Sequence, residues 1–413
     1  MKKGRLLVFL VLIMVLGLTS SGWAAGEKPI IIGNPNTFSG MMSMYGEATA
    51  AFLEVAIEEI NAAGGVLGRP LKLIKRDTRL NPEVGVREVK DLVLNQDADF
   101  IVGILSSGVA LAISEYCKSA KTLLLVNIAR STAITAEKGH RYVFRFISNF
   151  SSRDSAVLEA AKQLWPLSET DKVCELNLDY EQGHNAFNDT MKKWKKLNPN
   201  MKLVAELWPP LGTTDWSPYI SKLMASDGNF LIHALYGGAW LSFVKQALPM
   251  GLYKKFHVVG SCAADLEAIY LLTKDSPVPV GEVSIAEWPY WALGPEAQSL
   301  AKKAMGKSGK NYASANGYGG YLAIYALKDA IEAVGAVDTE KVIDYLEGRT
   351  INTTMGPMLI RGCDHQAMWP VYGGKLGFRP DISWPCILDP YIPKDVKGMY
   401  QTCDEIEELR AKR

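Results

Sequence analysis

The sequence predicts an α/β protein built as two doubly wound parallel-sheet lobes. Short β-branched runs alternate with longer amphipathic segments, the alternation starts afresh after Ile147, and 413 residues are more than one hydrophobic core organises. Ile30 to Ile32 reads as a strand, followed by the turn-rich Asn34-Pro35-Asn36 and a helix with Ala48, Ala51, Phe52, Val55, Ala56 and Ile60 on one face. Gly64-Gly65 ends that helix, where a left-handed cap favours glycine. Strands over Leu71 to Ile74, Phe100 to Gly103 and Leu123 to Val126 alternate with helices over Pro82 to Gln96 and Val109 to Ala120. After Tyr142 to Ile147 a second round places strands over Lys172 to Leu178, Lys202 to Leu207, Phe230 to Leu235 and His257 to Val259. Its helices fall near Ser155 to Leu164, Asn185 to Leu197, Ser217 to Ala225 and Trp240 to Leu248. Val283 to Ala286 and a helix from about Gly319 to Val334 then resume the first pattern. No low-complexity linker separates the rounds, so ordered strands are expected to cross between lobes.

The N-terminus reads as an export signal. Lys2, Lys3 and Arg5 precede an apolar run from Leu6 to Leu18, and Gly22-Trp23-Ala24 forms a small-residue exit. The apolar run falls short of the roughly twenty residues a membrane-spanning helix needs, so a cleaved leader is preferred to a retained anchor, with the mature chain starting near Ala25. No Cys stands there to take a lipid. Formal charge is +1 for the whole chain and −2 without Lys2, Lys3 and Arg5, which does not suggest the basic surface of a nucleic-acid binder. Six cysteines, Cys117, Cys174, Cys262, Cys363, Cys386 and Cys403, sit in an exported chain where disulfides are permitted. At least one bridge among Cys363, Cys386 and Cys403 is expected, because the closing segment is rich in Pro and Gly and poor in regular pattern. Metal binding is the rival reading, but no Cys-x-x-Cys or His-x-x-x-His pair supplies zinc spacing.

Catalytic motifs are missing. There is no Gly-x-Ser-x-Gly elbow and no His-Glu-x-x-His helix. Gly306-Lys307-Ser308 resembles the end of a phosphate loop, but Ala301 stands where the first glycine belongs and a helix precedes it. His140, His184, His233, His257 and His365 are scattered, each more readily structural than catalytic. An exported two-lobe α/β chain without a reactive constellation points to binding, with no enzyme activity, cofactor or metal expected. An exported hydrolase with an unconventional site is the distant rival.

Several segments carry a family resemblance: Pro35 to Gly46, with Thr37-Phe38-Ser39-Gly40 and Tyr45-Gly46; Asn61-Ala62-Ala63-Gly64-Gly65-Val66-Leu67-Gly68-Arg69-Pro70; Gly103 to Gly108; Asp179-Tyr180 with Gly183; and Cys363-Asp364-His365-Gln366. Together they resemble the extracytoplasmic solute receptors of ABC importers, of the leucine/isoleucine/valine-binding type, over roughly Pro29 to Gly374. The resemblance implies a type I periplasmic binding protein fold with three crossovers, near Phe146 to Asn149, Gly281 to Glu287 and Gly362 to Asp364, and a ligand in the cleft. The implied division is a signal peptide at 1–24, lobe 1 at 28–147 and 284–362, and lobe 2 at 148–283 and 363–413. It also implies a periplasmic location, a small-molecule ligand and an ABC permease at the inner membrane as partner. A ligand-sensing subunit of the same fold is the alternative.

Mapped onto this chain, the resemblance makes Tyr45 a cleft aromatic and Ser106-Ser107 the holder of a ligand carboxylate. The residues agree on the serines, which end a strand and open a helix where free N–H groups favour an anion; the plainer reading is a helix cap. Ala129, Arg130 and Ser131 match the next strand-end loop, and Arg130 is either a bidentate carboxylate clamp or a rim residue. From the second lobe come Tyr180 and the segment Tyr236 to Trp240, and beyond the second crossover Trp288 and Tyr290; each aromatic alone is as readily core as cleft. Where the family's amino-acid receptors place an acid for the ligand ammonium, this chain has Cys262. Either Asp265 or Glu287 replaces that acid, or the ligand lacks an amine; Asp265 also reads as a helix cap. The resemblance tips the expectation slightly towards an amino acid, against an aromatic or branched carboxylate without an amine.

Overall fold

The computed structural model describes residues 28–412 apart from 264 and 392–394, so the leader lies outside the described residues. In chain order the first run is β1 (Ile30–Asn36), α1 (Ser43–Ala62), β2 (Leu71–Asp77), α2 (Pro82–Asn95), β3 (Phe100–Gly103), α3 (Ser107–Ala120), β4 (Leu123–Val126) and β5 (Val143–Arg145). Next come α4 (Phe150–Leu164), β6 (Lys172–Leu176), α5 (Glu181–Leu197), β7 (Lys202–Leu207), α6 (Ser217–Ala225) and β8 (Phe230–His233). They lead into α7 (Gly237–Ala247), α8 (Leu252–Lys255), β9 (His257–Gly260), α9 (Leu266–Ile269) and β10 (Val283–Ala286). Then follow α10 (Pro295–Ser308), α11 (Ala315–Val334), α12 (Thr339–Leu346), and the hairpin β11 (Thr350–Thr353) and β12 (Gly356–Leu359). β13 (Tyr372–Gly377), β14 (Cys386–Tyr391) and α13 (Cys403–Ala411) close the chain.

The first sheet runs β2-β1-β3-β4-β5, all parallel. The second runs β14-β13-β10-β9-β8-β6-β7, parallel except where β13 pairs antiparallel with β10 and β14. This is the expected two-lobe α/β architecture with an antiparallel edge added. Strand order reverses between β1 and β3 in one sheet and between β6 and β8 in the other, and ligands of such sheets sit outside the carboxyl ends at these points.

Local chemistry fixes the element ends. Asn81 accepts from the Val84 N–H at the start of α2, with Pro82 at its first position. Asn149 and Ser152 form a reciprocal cap on α4. Ser314 caps α11 and Gly335 closes it at φ +73°. Gly306-Lys307-Ser308 lies inside α10.

Four expectations change. Asn34-Pro35-Asn36 continues β1 instead of turning: it pairs with Lys75 to Asp77, Asn34 Nδ2 donates to the Val102 carbonyl at 2.6 Å, and Pro35 falls past the β3 ladder at Ile32 and Gly33, so its missing N–H breaks no bond there. The closing segment has regular structure. β13 reads Tyr-Gly-Gly-Lys-Leu-Gly, and a side chain at Gly373 would sit 2.5 Å from the Ala156 carbonyl, so α4 packs directly on a glycine strand that carries no β-branched signal. The residues Ser284 to Ala286, assigned by sequence to lobe 1, pair with β13 in the second sheet. The tail does not stay with one lobe either. Glu405 on α13 meets Lys192 on α5, while Arg410 donates to the Thr135 and Ala136 carbonyls beside the first sheet.

A disulfide joins Cys363 to Cys403, while Cys117, Cys174, Cys262 and Cys386 are free and buried. The bridge is therefore among the three expected cysteines, and Cys386 lies free and buried in β14. No helix among the described residues is long and apolar enough to cross a membrane.

One buried acid gives the fold a testable pH dependence. Asp154 on α4 is fully buried, with the hydroxyls of Thr190 and Ser261 beside its carboxylate and no cation among the described residues bonded to it. Its carboxyl is pushed up to about 8, first by burial and then by Asp189, with Lys193 opposing. A carboxyl whose folded pKa exceeds its unfolded value of about 4 stabilises the fold at low pH, and that contribution is lost as pH rises through the folded value. Asp154→Asn is expected to flatten the fall in Tm between about pH 5 and pH 8; parallel pH profiles of the two proteins would refute this.

Candidate ligand-binding site

The first lobe presents its strand ends and helix starts. Tyr45 lies in the first turn of α1, buried, with its hydroxyl unpartnered. Ser106 stands at the cap position of α3 without making a side-chain cap bond, and the Ser107 hydroxyl accepts from the Ser131 N–H at 3.2 Å. That bond holds the loop after β4 against the start of α3, so Ser106, Ser107, Ala129, Arg130 and Ser131 form one continuous wall. Its chemistry is the exposed N–H end of a 14-residue helix, suited to an anion.

The second lobe answers with residues after β6 and β8. Tyr180 precedes α5 and Tyr236 precedes α7, and their hydroxyls are 2.8 Å apart. The Tyr236 ring stands edge-on to Tyr45 across the cleft, centroids 6.1 Å apart. Gly237 has φ +55°, and a Cβ there would lie 3.3 Å from the Tyr45 hydroxyl and 3.1 Å from the Met42 sulfur. Glycine thus permits both the backbone turn and the approach of the first lobe. Further along the cleft, Ser131 donates to Glu181 at 2.8 Å and the Thr132 N–H donates to Asn185 at 2.9 Å. The lobes are therefore in contact, in a closed arrangement.

Behind the aromatic residues lies a buried charged network. Arg130 donates to Glu287 and to the Asn316 side chain, both at 2.6 Å. Arg153, on the first turn of α4, donates to Asp265 at 2.6 Å and to the Cys262 sulfur at 3.1 Å, and lies 3.5 Å from Glu287. Ser148 holds the other Glu287 oxygen. Burial pushes the Glu287 carboxyl up, but Arg130, Arg153 and Ser148 together hold it below the usual carboxylate range. Burial pushes Cys262 to about 12, so it is a neutral thiol. Glu267, at about 7, is raised by burial and then by Asp265, and accepts from Asn316 at 2.7 Å. Asp265, Glu267, Glu287 and Trp288 border a recess of about 20 Å³, room for about one water.

The structure therefore gathers Tyr45, Ser106, Ser107, Ala129, Arg130, Ser131, Tyr180, Tyr236, Asp265 and Glu287 around one cleft. Asp265 occupies the cap position of α9 without making a cap bond and is instead an ion-pair partner. Arg130 is an inward strut and not a rim residue. Trp240 does not join them. It is fully buried on the α7 stripe with Phe243, Val244 and Ala247, and its indole N–H points to Glu282 at 3.3 Å, inside the second lobe. Trp288 stacks on Tyr318 at 4.4 Å and donates to Thr354 at 3.0 Å, and Tyr290 packs on Trp288 and Trp291, so these two belong chiefly to the aromatic packing beside the recess. Sequence reasoning missed Arg153, Glu267 and Asn316. Arg153 had one available signal, a charged residue just after the first crossover, but nothing in its local pattern marks it as buried.

Two α/β lobes meeting at paired strand-order reversals, with a polar cleft between them, have the geometry of a receptor for small molecules. Residues 29–377 match the family model described as periplasmic binding protein, and the chain belongs to that family. The family is one of periplasmic binding proteins and not of enzymes. Among relatives, Leu/Ile/Val-binding protein homolog 4 of Brucella abortus is 26% identical over 371 residues, covering 86% of each chain. The leucine-, isoleucine-, valine-, threonine- and alanine-binding protein of Pseudomonas aeruginosa is 25% identical over 359 residues, 86% of this chain and 92% of that one. Among solved structures, a solute-binding protein of Rhodopseudomonas palustris in complex with 3,4-dihydroxybenzoic acid superposes with TM-score 0.78 at 19% identity, over 91% of this chain and 100% of that one. The closed conformation of a Brucella ovis leucine-, isoleucine-, valine-, threonine- and alanine-binding protein gives 0.77 at 20%, over 91% and 98%.

Proposed function

We propose that the protein closes its lobes over a small carboxylate lacking an amine, branched or aromatic in its body, and delivers it to an ABC permease at the inner membrane. The observation that carries this is the engagement of both available acids: Asp265 is paired with Arg153 and Glu287 with Arg130, each at 2.6 Å. To hold a ligand ammonium, either acid would have to leave a buried guanidinium. Breaking such a pair costs about 3–5 kcal/mol, a large share of the roughly 8 kcal/mol of micromolar binding. The carboxylate would rest on the N–H end of α3 at Ser106 and Ser107, with Tyr45, Tyr180 and Tyr236 packing on the ligand body. Solved neighbours described with benzoate and with hydroxybenzoates support this class.

The amino-acid reading keeps one supporting observation. Glu267 is an acid beside the recess without a cationic hydrogen-bond partner, and relatives are named as binding branched-chain amino acids. A thermal-shift screen pairing leucine and phenylalanine with their des-amino analogues separates the two. The des-amino acids are expected to stabilise by about 2.7 kcal/mol at a hundredfold excess over Kd; stabilisation by the amino acids alone would defeat the proposal. Closure itself is expected to shrink the radius of gyration in solution scattering when ligand is added. We also take residues 28–147 and 287–362 to move as one lobe against the remainder, and the leader to be cleaved near Ala25, which the mass of the secreted protein tests.

A further inference from the structure

Around Cys262 several buried donors are unpartnered. Tyr45 Oη, Arg130 Nε and Arg153 Nε are buried without a hydrogen-bond partner. The Nη1 of Arg153 donates to the Cys262 sulfur at 3.1 Å, a weak acceptor. Orphaned buried donors are uncommon in folded proteins, and here they come from both sides of the cleft, Tyr45 and Arg130 from the first lobe and Arg153 from the second. All three lie near one place, the buried thiol of Cys262. The guanidinium groups of Arg130 and Arg153 face the carboxylates of Glu287 and Asp265, so these two pairs balance each other and leave no free positive charge. An acceptor atom placed in the cleft would satisfy these three donors. An ammonium, which only donates, is the group it fits worst.

We propose that Arg153, with Tyr45, is the specificity-determining pair of this site and reads a neutral oxygen on the ligand, so that the bound molecule is a hydroxy- or oxo-carboxylate. This rests on the carboxylate reading given above. Arg153 supplies planar N–H donors fixed by Asp265 and Glu287, and Tyr45 supplies a hydroxyl whose rotation adapts to either oxygen type. A second full carboxylate would add an uncompensated negative charge to a balanced cluster, so a dicarboxylate is excluded by the same count.

Calorimetric titration of the whole protein with isocaproate, its α-hydroxy and α-oxo analogues, leucine, glutarate, benzoate and p-hydroxybenzoate tests the assignment. In at least one of the two series an oxygenated acid is expected to bind about tenfold more tightly than its parent, with leucine and glutarate weaker than that acid. Arg153→Lys keeps a cation for Asp265 but loses the planar donors, and is expected to reduce the preference to about threefold or less. If that variant does not fold, Tyr45→Phe removes a hydroxyl that has no partner in the protein, and the same loss of preference is required of it. Equal affinity for parent and oxygenated acids, tighter binding of glutarate, or a preference that survives in a folded variant overturns the assignment while leaving the carboxylate reading intact. Failure of every carboxylate to bind overturns both.

Discussion

Replacing Glu287 by alanine is expected to destabilise the protein by about 3–5 kcal/mol, the cost of leaving buried charges uncompensated. Glu287 is almost wholly buried, with a side-chain exposure of 3%, beside Arg130 at 5% and Arg153 at 1%, so solvent cannot replace it. One oxygen lies 2.6 Å from Arg130 and 3.5 Å from Arg153, and the other takes the Ser148 hydroxyl. Those partners come from the first lobe, from α4 of the second and from the first crossover, while Glu287 itself directly follows β10. Arg153 would retain Asp265, but Arg130 would keep only neutral acceptors, the Ile128 carbonyl and Asn316. Glu287→Gln keeps the shape and removes the charge, and is expected to lose nearly as much. Urea unfolding monitored by tryptophan fluorescence measures both; a loss below about 1 kcal/mol for the alanine variant would show that the pair is no stronger than a surface one.

Why this network escaped the sequence while the fold did not is a matter of range. β3, β4 and β8 are four-residue, largely apolar strands buried throughout, and continuous hydrophobicity between helical stretches is visible to any local reading. Tyr45, Ser107 and Tyr236 were legible because they stand at the ends of such strands or the starts of the helices that follow. Arg153 and Glu287 lie 134 positions apart, and nothing near either announces that they meet. The aromatic residues failed in the opposite way. Trp240 follows a glycine pair that resembles a cleft segment, but the helix starts at Gly237, which places Trp240 on the same stripe as Phe243, Val244 and Ala247, facing the sheet. Where Asp265 was ambiguous between cap and ligand partner, the deciding residue was again Arg153, supplied from another helix.

Opening the Cys363–Cys403 bridge is expected to cost about 4 kcal/mol, the loop-closure value for a separation of 40 residues. The bridge ties the third crossover to the start of α13, and other bonds carry its effect into both lobes. Arg361 pairs with Asp364 and donates to the Gln401 carbonyl at 2.6 Å, and Arg410 donates to the Cys363 carbonyl at 2.9 Å while reaching Thr135 and Ala136. Tyr400 donates to the Trp369 carbonyl at 2.8 Å, and the Met399 carbonyl accepts from Ser151 and Ser155 on α4. Without the disulfide, these contacts must hold a nine-residue helix whose single buried residue is Ile406. Such a helix is too short to be stable alone, so the tail's order depends on its anchors. The double variant Cys363→Ser with Cys403→Ser is therefore expected to unfold at lower urea and to be trimmed by trypsin at Arg410 and Lys412 before the lobes are cut, while the oxidised parent resists both. A double variant that unfolds at the same urea concentration as the oxidised parent would mean that the tail's noncovalent contacts already restrict the chain as much as the bridge does.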